Sequence, residues 1–249
     1  MDLTIRGRSA VITGASKGIG RAVAERLAAE GVNVHLVART VTALETAASE
    51  LKDRYGVDAG YSALDLSVSS NVDQLFAEYS GTIDILVNNA GAIPGGSIDR
   101  VDEATWRQAW DLKVFGYINI CRLAYNRMRD AGQGVIINVI GAAGERPSPG
   151  YIAGAGGNAS LMAITRGLGG HSLSDRIRVV AINPGLIRTE RLVTILKAQA
   201  EESAELRRNW LDHPGEPHHI ADLTAFLASD LSSNTTGTVF TVDGGSSVR

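Results

Sequence analysis

TGASKGIG, residues Thr13 to Gly20, ends the apolar run that begins at Ser9 and leads directly into an amphipathic stretch from Arg21 to Glu30. Its glycines, Gly14, Gly18 and Gly20, are spaced Gly-x3-Gly-x-Gly. Glycine permits a tight turn from strand to helix and lets backbone N–H groups approach a pyrophosphate at the helix N-terminus, where the helix dipole favours negative charge. A glycine-rich turn alone is a weak signal, and the strand before it and the helix after it are the context it needs. Ser16, Lys17 and Ile19 complete the loop. The stretch reads as a nicotinamide-dinucleotide site in an α/β protein.

Outward from the loop, short β-branched runs alternate with longer amphipathic segments. SAVIT is followed by Arg21 to Glu30, VNVHLVA by Val41 to Tyr55, AGYSAL by Val68 to Tyr79, and IDILVNN by Thr105 to Arg129. The rhythm continues through GVIINVI, a helical stretch to Leu168, RVVAINPG, a helix at Ile220 to Ala228 and a last strand at Thr238 to Val242. Such alternation predicts βαβ units, and strands apolar along their whole length predict burial on both faces. The expectation is one Rossmann-type, doubly wound domain over residues 1–249, with about seven parallel strands and helices on both sides.

Composition narrows the class. A net charge of -3 with both signs interspersed gives no field for nucleic acid or an anionic membrane, so neither is expected as a partner. One cysteine, Cys121, cannot close an internal disulfide, and MDLTIRGRSA lacks the apolar stretch of a signal peptide, so a cytoplasmic protein is expected. His213, His218 and His219 stand around Pro214 and Pro217 without a carboxylate-rich ligand set, so no metal is expected.

The end of the second strand selects the dinucleotide. An NAD site carries an acidic residue there for the ribose 2′-hydroxyl, whereas this chain has Ala38 and Arg39. The Arg39 fork suits a 2′-phosphate, and Lys17 adds a second positive charge, so NADP(H) is preferred over NAD(H).

These motifs, in this order, resemble the short-chain dehydrogenase/reductase family across nearly the whole chain. The resemblance implies that Asp65 and Leu66 lie beside the adenine and that Asn88-Asn89-Ala90-Gly91 supports the sheet and lines the adenosine ribose. It implies further that Pro184, Gly185, Ile187 and Thr189 face the nicotinamide. Val242-Asp243-Gly244-Gly245 matches the family's last strand and turn. A homodimer or homotetramer is implied, through the helices at Thr105 to Arg129 and Ala159 to Leu173. Residues 188–212 resemble a lid over the substrate, with Arg188 and Arg191 near its start.

The family's chemistry uses an asparagine, a serine, a tyrosine and a lysine. Aligning WRQAWDLKVFG, NVIGAAG and the segment before Thr165 places Lys113, Gly141, Gly154 and Asn158 at those four positions. Tyr151 lies three residues before the expected tyrosine, and Lys113 is a second candidate acid or anion holder. Gly154, Gly156 and Gly157 each cost about 1 kcal/mol in a helix relative to alanine, so the helix is expected to begin near Ala159 with Asn158 as N-cap, or the glycines open room for a ligand. Two functions stand open. One is an NADP(H)-dependent oxidoreductase acting on an unknown small carbonyl or alcohol with a non-standard proton donor. The other is a degenerate member binding NADP(H) as a sensor or partner subunit.

Overall fold

The computed structural model of the chain describes residues 2–190, 192 and 214–248. Seven strands form one sheet: β1 (Ser9–Thr13), β2 (Asn33–Ala38), β3 (Ala59–Ala63), β4 (Ile85–Asn88), β5 (Gly134–Val139), β6 (Ile177–Pro184) and β7 (Val239–Val242). Every neighbouring pair is parallel, in the order β3-β2-β1-β4-β5-β6-β7. The helices are α1 (Gly18–Ala29), α2 (Val41–Tyr55), α3 (Ser69–Glu78), α4 (Glu103–Trp110), α5 (Gly116–Ala131), α6 (Ile152–Gly169) and α7 (Pro217–Ala228).

Strand pleating sends alternate side chains to opposite faces, which explains why the strands read as continuously apolar. Ile12, Ile85, Val87 and Ile137 join Leu27, Leu44, Leu51 and Leu227 of α1, α2 and α7 on one face. Val11, Leu86 and Ile136 join Leu75, Ile120 and Met128 of α3 and α5 on the other. The chain winds outward from β1 to β3, then returns to the far side of β1 to lay down β4, β5 and β6. That reversal opens a crevice at the carboxyl ends of β1 and β4, the place where sheets of this kind bind ligands.

Two helical expectations are corrected. Thr105 to Arg129 is not one regular helix: Asp111–Phe115 forms a π-helical turn between α4 and α5. The i to i+5 turn accommodates an extra residue, and Lys113 and Val114 are buried in it. Helix α6 begins at Ile152, not near Ala159, and Asn158 is a buried residue of its interior instead of its N-cap. Neighbouring side chains pack onto the glycine backbone and offset its low helix propensity. A Cβ on Gly154 would overlap the Tyr151 ring, and one on Gly157 would press on Val114, Ile93 and Trp110 at 3.2 to 3.4 Å. The Trp110 indole N–H also donates to the carbonyl of Ala153 at 2.9 Å.

At the outer strands, His35 of β2 meets Ser62 of β3 through a 2.8 Å hydrogen bond, and its ring lies 4.6 Å from that of Tyr79. Burial pushes the His35 imidazole down to about 4, so it is neutral in the folded chain at neutral pH. An unfolded histidine titrates near 6.5, so between these values the unfolded chain binds more protons and stability falls as pH drops. We expect denaturant titrations to show His35→Gln losing less stability than the wild type between pH 7.5 and pH 5, by about 2 kcal/mol. Equal losses would show that His35 does not carry this dependence.

Candidate cofactor and active site

The glycine loop departs from β1 in backbone that only glycine adopts readily. Gly14 and Gly18 have φ of +66° and +60°. Gly20 has ordinary φ, but a Cβ there would collide with the Gly14 carbonyl oxygen, so the strand-to-helix turn closes only without a side chain. The buried Thr13 hydroxyl accepts from the backbone N–H groups of Asn89 (2.9 Å) and Ala90 (3.0 Å). The Asn89 amide donates back to the carbonyls of Thr13 (3.2 Å) and Gly14 (3.3 Å). The end of β4 is thereby stapled to the loop. Helix α1 follows with no side-chain cap from Lys17 and no acidic residue in its first turn. Its opening N–H groups, with those of the Ser16 to Ile19 turn, are suited to a diphosphate.

On the β2–β3 side, Ala38 and Arg39 end the strand with no carboxylate between them, and Arg39 is exposed. The Asp65 carboxylate accepts from the N–H (3.0 Å) and hydroxyl (2.7 Å) of Ser67. Those bonds, chiefly the backbone one, hold its acidity below the usual carboxylate range, and the Arg39 charge adds to the effect. Leu66 is buried behind it. Lys17 reaches Glu190 at 3.3 Å, but both side chains are mostly exposed and such a pair contributes under about 1 kcal/mol. A bound phosphate would compete readily for that ammonium.

At the end of β6, the Gly185 N–H donates to the Val242 carbonyl (3.0 Å), and a Cβ on Gly185 would strike Asp243 at 2.6 Å. Pro184 and Gly185 are thus pressed against the turn after β7. Ile187 is buried, and the Thr189 methyl stands 3.3 Å from where a Gly18 Cβ would be, which brings this segment over the glycine loop. Most of the expected lid at 188–212, including Arg191, lies outside the described residues, as does His213.

The four aligned positions converge on the carboxyl end of β5. Lys113 is 7% exposed, and its ammonium donates to the Tyr117 hydroxyl and to the Val139 carbonyl, each at 2.9 Å. Tyr117 in turn donates to Val139 at 2.8 Å, and burial holds its phenol well above the usual range. Gly141 has φ of +148°, and its N–H donates to the Asn183 side chain at 3.3 Å. A Cβ on Gly141 would lie 2.8 Å from the Asn158 amide nitrogen. Tyr151 starts α6, tied by its N–H to Ser148 (3.0 Å) and flanked by Gly96 N–H to Gly150 (2.7 Å) and Ile152 N–H to Gly96 (3.3 Å). The expectation that the α6 glycines open room for a ligand is corrected at Gly154 and Gly157. Tyr151 fills the first space, and Val114, Ile93 and Trp110 close on the second.

Sequence reasoning passed over Thr13, Tyr117, Asn183 and Gly96. Tyr117, four residues after Lys113 on a helical stretch, was the one with a local signal. Among the described residues no group of histidine, cysteine and carboxylate side chains could hold a metal, and His219 accepts from the Glu216 N–H (3.1 Å) at the start of α7. No described helix is long and apolar enough to cross a membrane.

The comparisons agree with this geometry. The family model described as "Enoyl-(Acyl carrier protein) reductase" matches residues 14–247. The 3-oxoacyl-(acyl carrier protein) reductase FabG of Chlamydia muridarum is 34% identical over 98% of this chain and 99% of its own. A 3alpha-hydroxysteroid dehydrogenase of Mediterraneibacter gnavus is 30% identical over 98% of each chain. The crystal structure of L-sorbose reductase from Gluconobacter frateurii, complexed with NADPH and L-sorbose, superposes with a TM-score of 0.91 at 32% identity over 98% of both chains. The chain belongs to the short-chain dehydrogenase/reductase family of oxidoreductases.

Two substitutions test the cradle. Arg39→Ala is expected to weaken NADPH binding about 10- to 100-fold in a fluorescence titration, the loss of a charge-assisted contact, and to leave NADH binding nearly unchanged. Equal weakening of both would remove Arg39 from phosphate recognition. Gly20→Ala is expected to lower affinity for both dinucleotides together, because the collision with Gly14 displaces the shared phosphate loop.

Proposed function

We propose that this protein is an NADP(H)-dependent oxidoreductase that interconverts a small-molecule carbonyl and its alcohol, with the Tyr151 hydroxyl as proton donor. The observation that carries the reading is the Tyr151 ring lying over Gly154, its hydroxyl 2.6 Å from where a Gly154 Cβ would stand. A phenol thus reaches the aligned tyrosine position from the helix N-terminus. The Gly96 to Gly150 and Ile152 bonds fix the segment that carries it.

The fit to NADP(H) rests on the Gly14, Gly18 and Gly20 cradle, the uncapped start of α1 and the unopposed Arg39 at the end of β2. Bound NADPH supplies the hydride, which adds to the carbonyl carbon. As that bond forms, the carbonyl oxygen gains charge and takes the proton of Tyr151, and solvent then reprotonates the phenolate. A positioned acid of this kind contributes about 10²- to 10⁴-fold in rate. Lys113 is not assigned the proton, because its ammonium is committed to Tyr117 and Val139 below the site. Homo-oligomer formation through α5 and α6, and closure of 188–212 over the substrate, belong to the same proposal.

The test is NADPH oxidation with a panel of ketones, aldehydes and quinones. Turnover of at least one substrate is expected, with Tyr151→Phe losing about 10²- to 10⁴-fold in kcat and little in NADPH affinity. NADPH binding with no turnover on any substrate would instead identify a ligand-binding member. Turnover unchanged in Tyr151→Phe would remove the assigned donor.

A further inference from the structure

The strand order divides a dinucleotide into two halves. With the diphosphate at the start of α1, one half extends over β2 and β3 and the other over β4, β5 and β6. The adenosine half has Arg39 and Asp65 waiting for it. What meets the other half is set by the side chains at the carboxyl end of β5.

Asn158 stands there. It is 4% exposed, on the inner side of α6, with its amide nitrogen where a Gly141 side chain would begin. Other buried polar side chains in this region are bonded within the protein. Thr165 bonds Asn138 and the Leu161 carbonyl, Asn138 also bonds Asn88, and Asn183 bonds Glu145 and the Gly141 N–H. The Asn158 side chain makes no hydrogen bond among the described residues. Nor is it among the polar groups sealed away without a partner, the Asn88 carbonyl oxygen being the described case, so its amide opens on the crevice. An amide kept at such a place without a protein partner is costly unless a ligand completes it. It offers an acceptor and two donors but no charge, which suits hydroxyl groups that both give and take a hydrogen bond.

Lys113 faces the same end of β5 from the opposite wall. Its ammonium bonds the carbonyl of Val139, two residues before Gly141. The family alignment places an asparagine at 113 and a lysine at 158, and this chain carries the same two groups in exchanged positions. The exchange has a physical consequence. Two ammonium groups in so buried a place would repel and one would shed its proton, so the site accommodates a single cation whichever wall supplies it.

We infer that Lys113 and Asn158 act as one exchanged unit. The cation serving the nicotinamide half of the dinucleotide is delivered from the π-helical turn, and the α6 position opposite is an uncharged amide that takes ribose hydroxyls of that half. The inference rests on the NADP(H) reading. Lys113 is in this account a positioning residue, acting through Val139 and Tyr117, while Asn158 touches the cofactor.

The experiment measures NADPH affinity by fluorescence titration and, separately, thermal unfolding without cofactor. Asn158→Leu, close in volume, is expected to weaken NADPH binding about tenfold or more, with the unfolding temperature of the cofactor-free chain unchanged or raised, because an unbonded polar group has been removed. A packing role for Asn158 predicts the reverse pattern, a lowered unfolding temperature with unchanged affinity, and that result overturns the inference. Asn158→Lys alone is expected to lower both quantities by adding a second cation, and Lys113→Asn with Asn158→Lys together to recover most of the loss. Losses that simply add in the double variant would overturn the exchanged pair. A wild-type chain that fails to bind NADPH defeats the proposed function itself, whereas wild-type binding with an unmoved Asn158→Leu defeats only this inference.

Discussion

The Thr13 hydroxyl, buried at the end of β1, accepts two backbone N–H groups from the end of β4, and the arrangement of the site depends on that junction. β1 and β4 are neighbours in space but 75 residues apart in one of the Asn89 bonds that join them, so the contact closes a long loop. It sits at the reversal of strand order. By fixing Asn89 against Gly14, it sets the height of the glycine loop above the sheet and so the direction in which the first turn of α1 presents its N–H groups. Gly20 completes the junction by leaving space for the Gly14 carbonyl.

A second constraint governs the other half of the crevice. Glycines replace side chains at several places along the β5–α6 connection, and each vacated space is taken by a neighbour: Tyr151 at Gly154, Asn158 at Gly141, Met162 at Gly144, and Trp110, Val114 and Ile93 at Gly157. Close packing explains the pattern, since a void loses its contacts and the surrounding side chains move in wherever backbone permits. The chemical result is a relocation of groups, with a phenol supplied from a helix start and an amide from a helix interior.

The π-helical turn belongs to the same rearrangement. It places Lys113 between β4 and β5, its stem against Gly91 and its ammonium on Val139. A lysine so buried needs fixed acceptors, and Tyr117 supplies one from the next turn while bonding Val139 itself. The nearby ring face, 4.5 Å from the ammonium, adds a favourable cation–π contact.

Much of this is legible in the order of the amino acids. Periodicity locates the strands and most helices because burial on two faces forces unbroken apolar runs, and TGASKGIG with Arg39 marks the cofactor side because loop geometry and phosphate charge are local demands on local residues. The boundary of α6 is not legible. Three glycines within its first turns argue for a late start on propensity alone, and only contacts with Trp110, Ile93 and Val114, from segments distant in sequence, overcome that preference. The positions of Lys113, Tyr151 and Asn158 in the chain can be counted, but not where their side chains go. The sequence by itself determined the doubly wound sheet, the phosphate loop and the departures at 113, 141, 154 and 158. Only the tertiary structure decided that a phenol covers Gly154 and an amide covers Gly141, because filling a space is a property of the neighbours that surround it and not of the residue that leaves it.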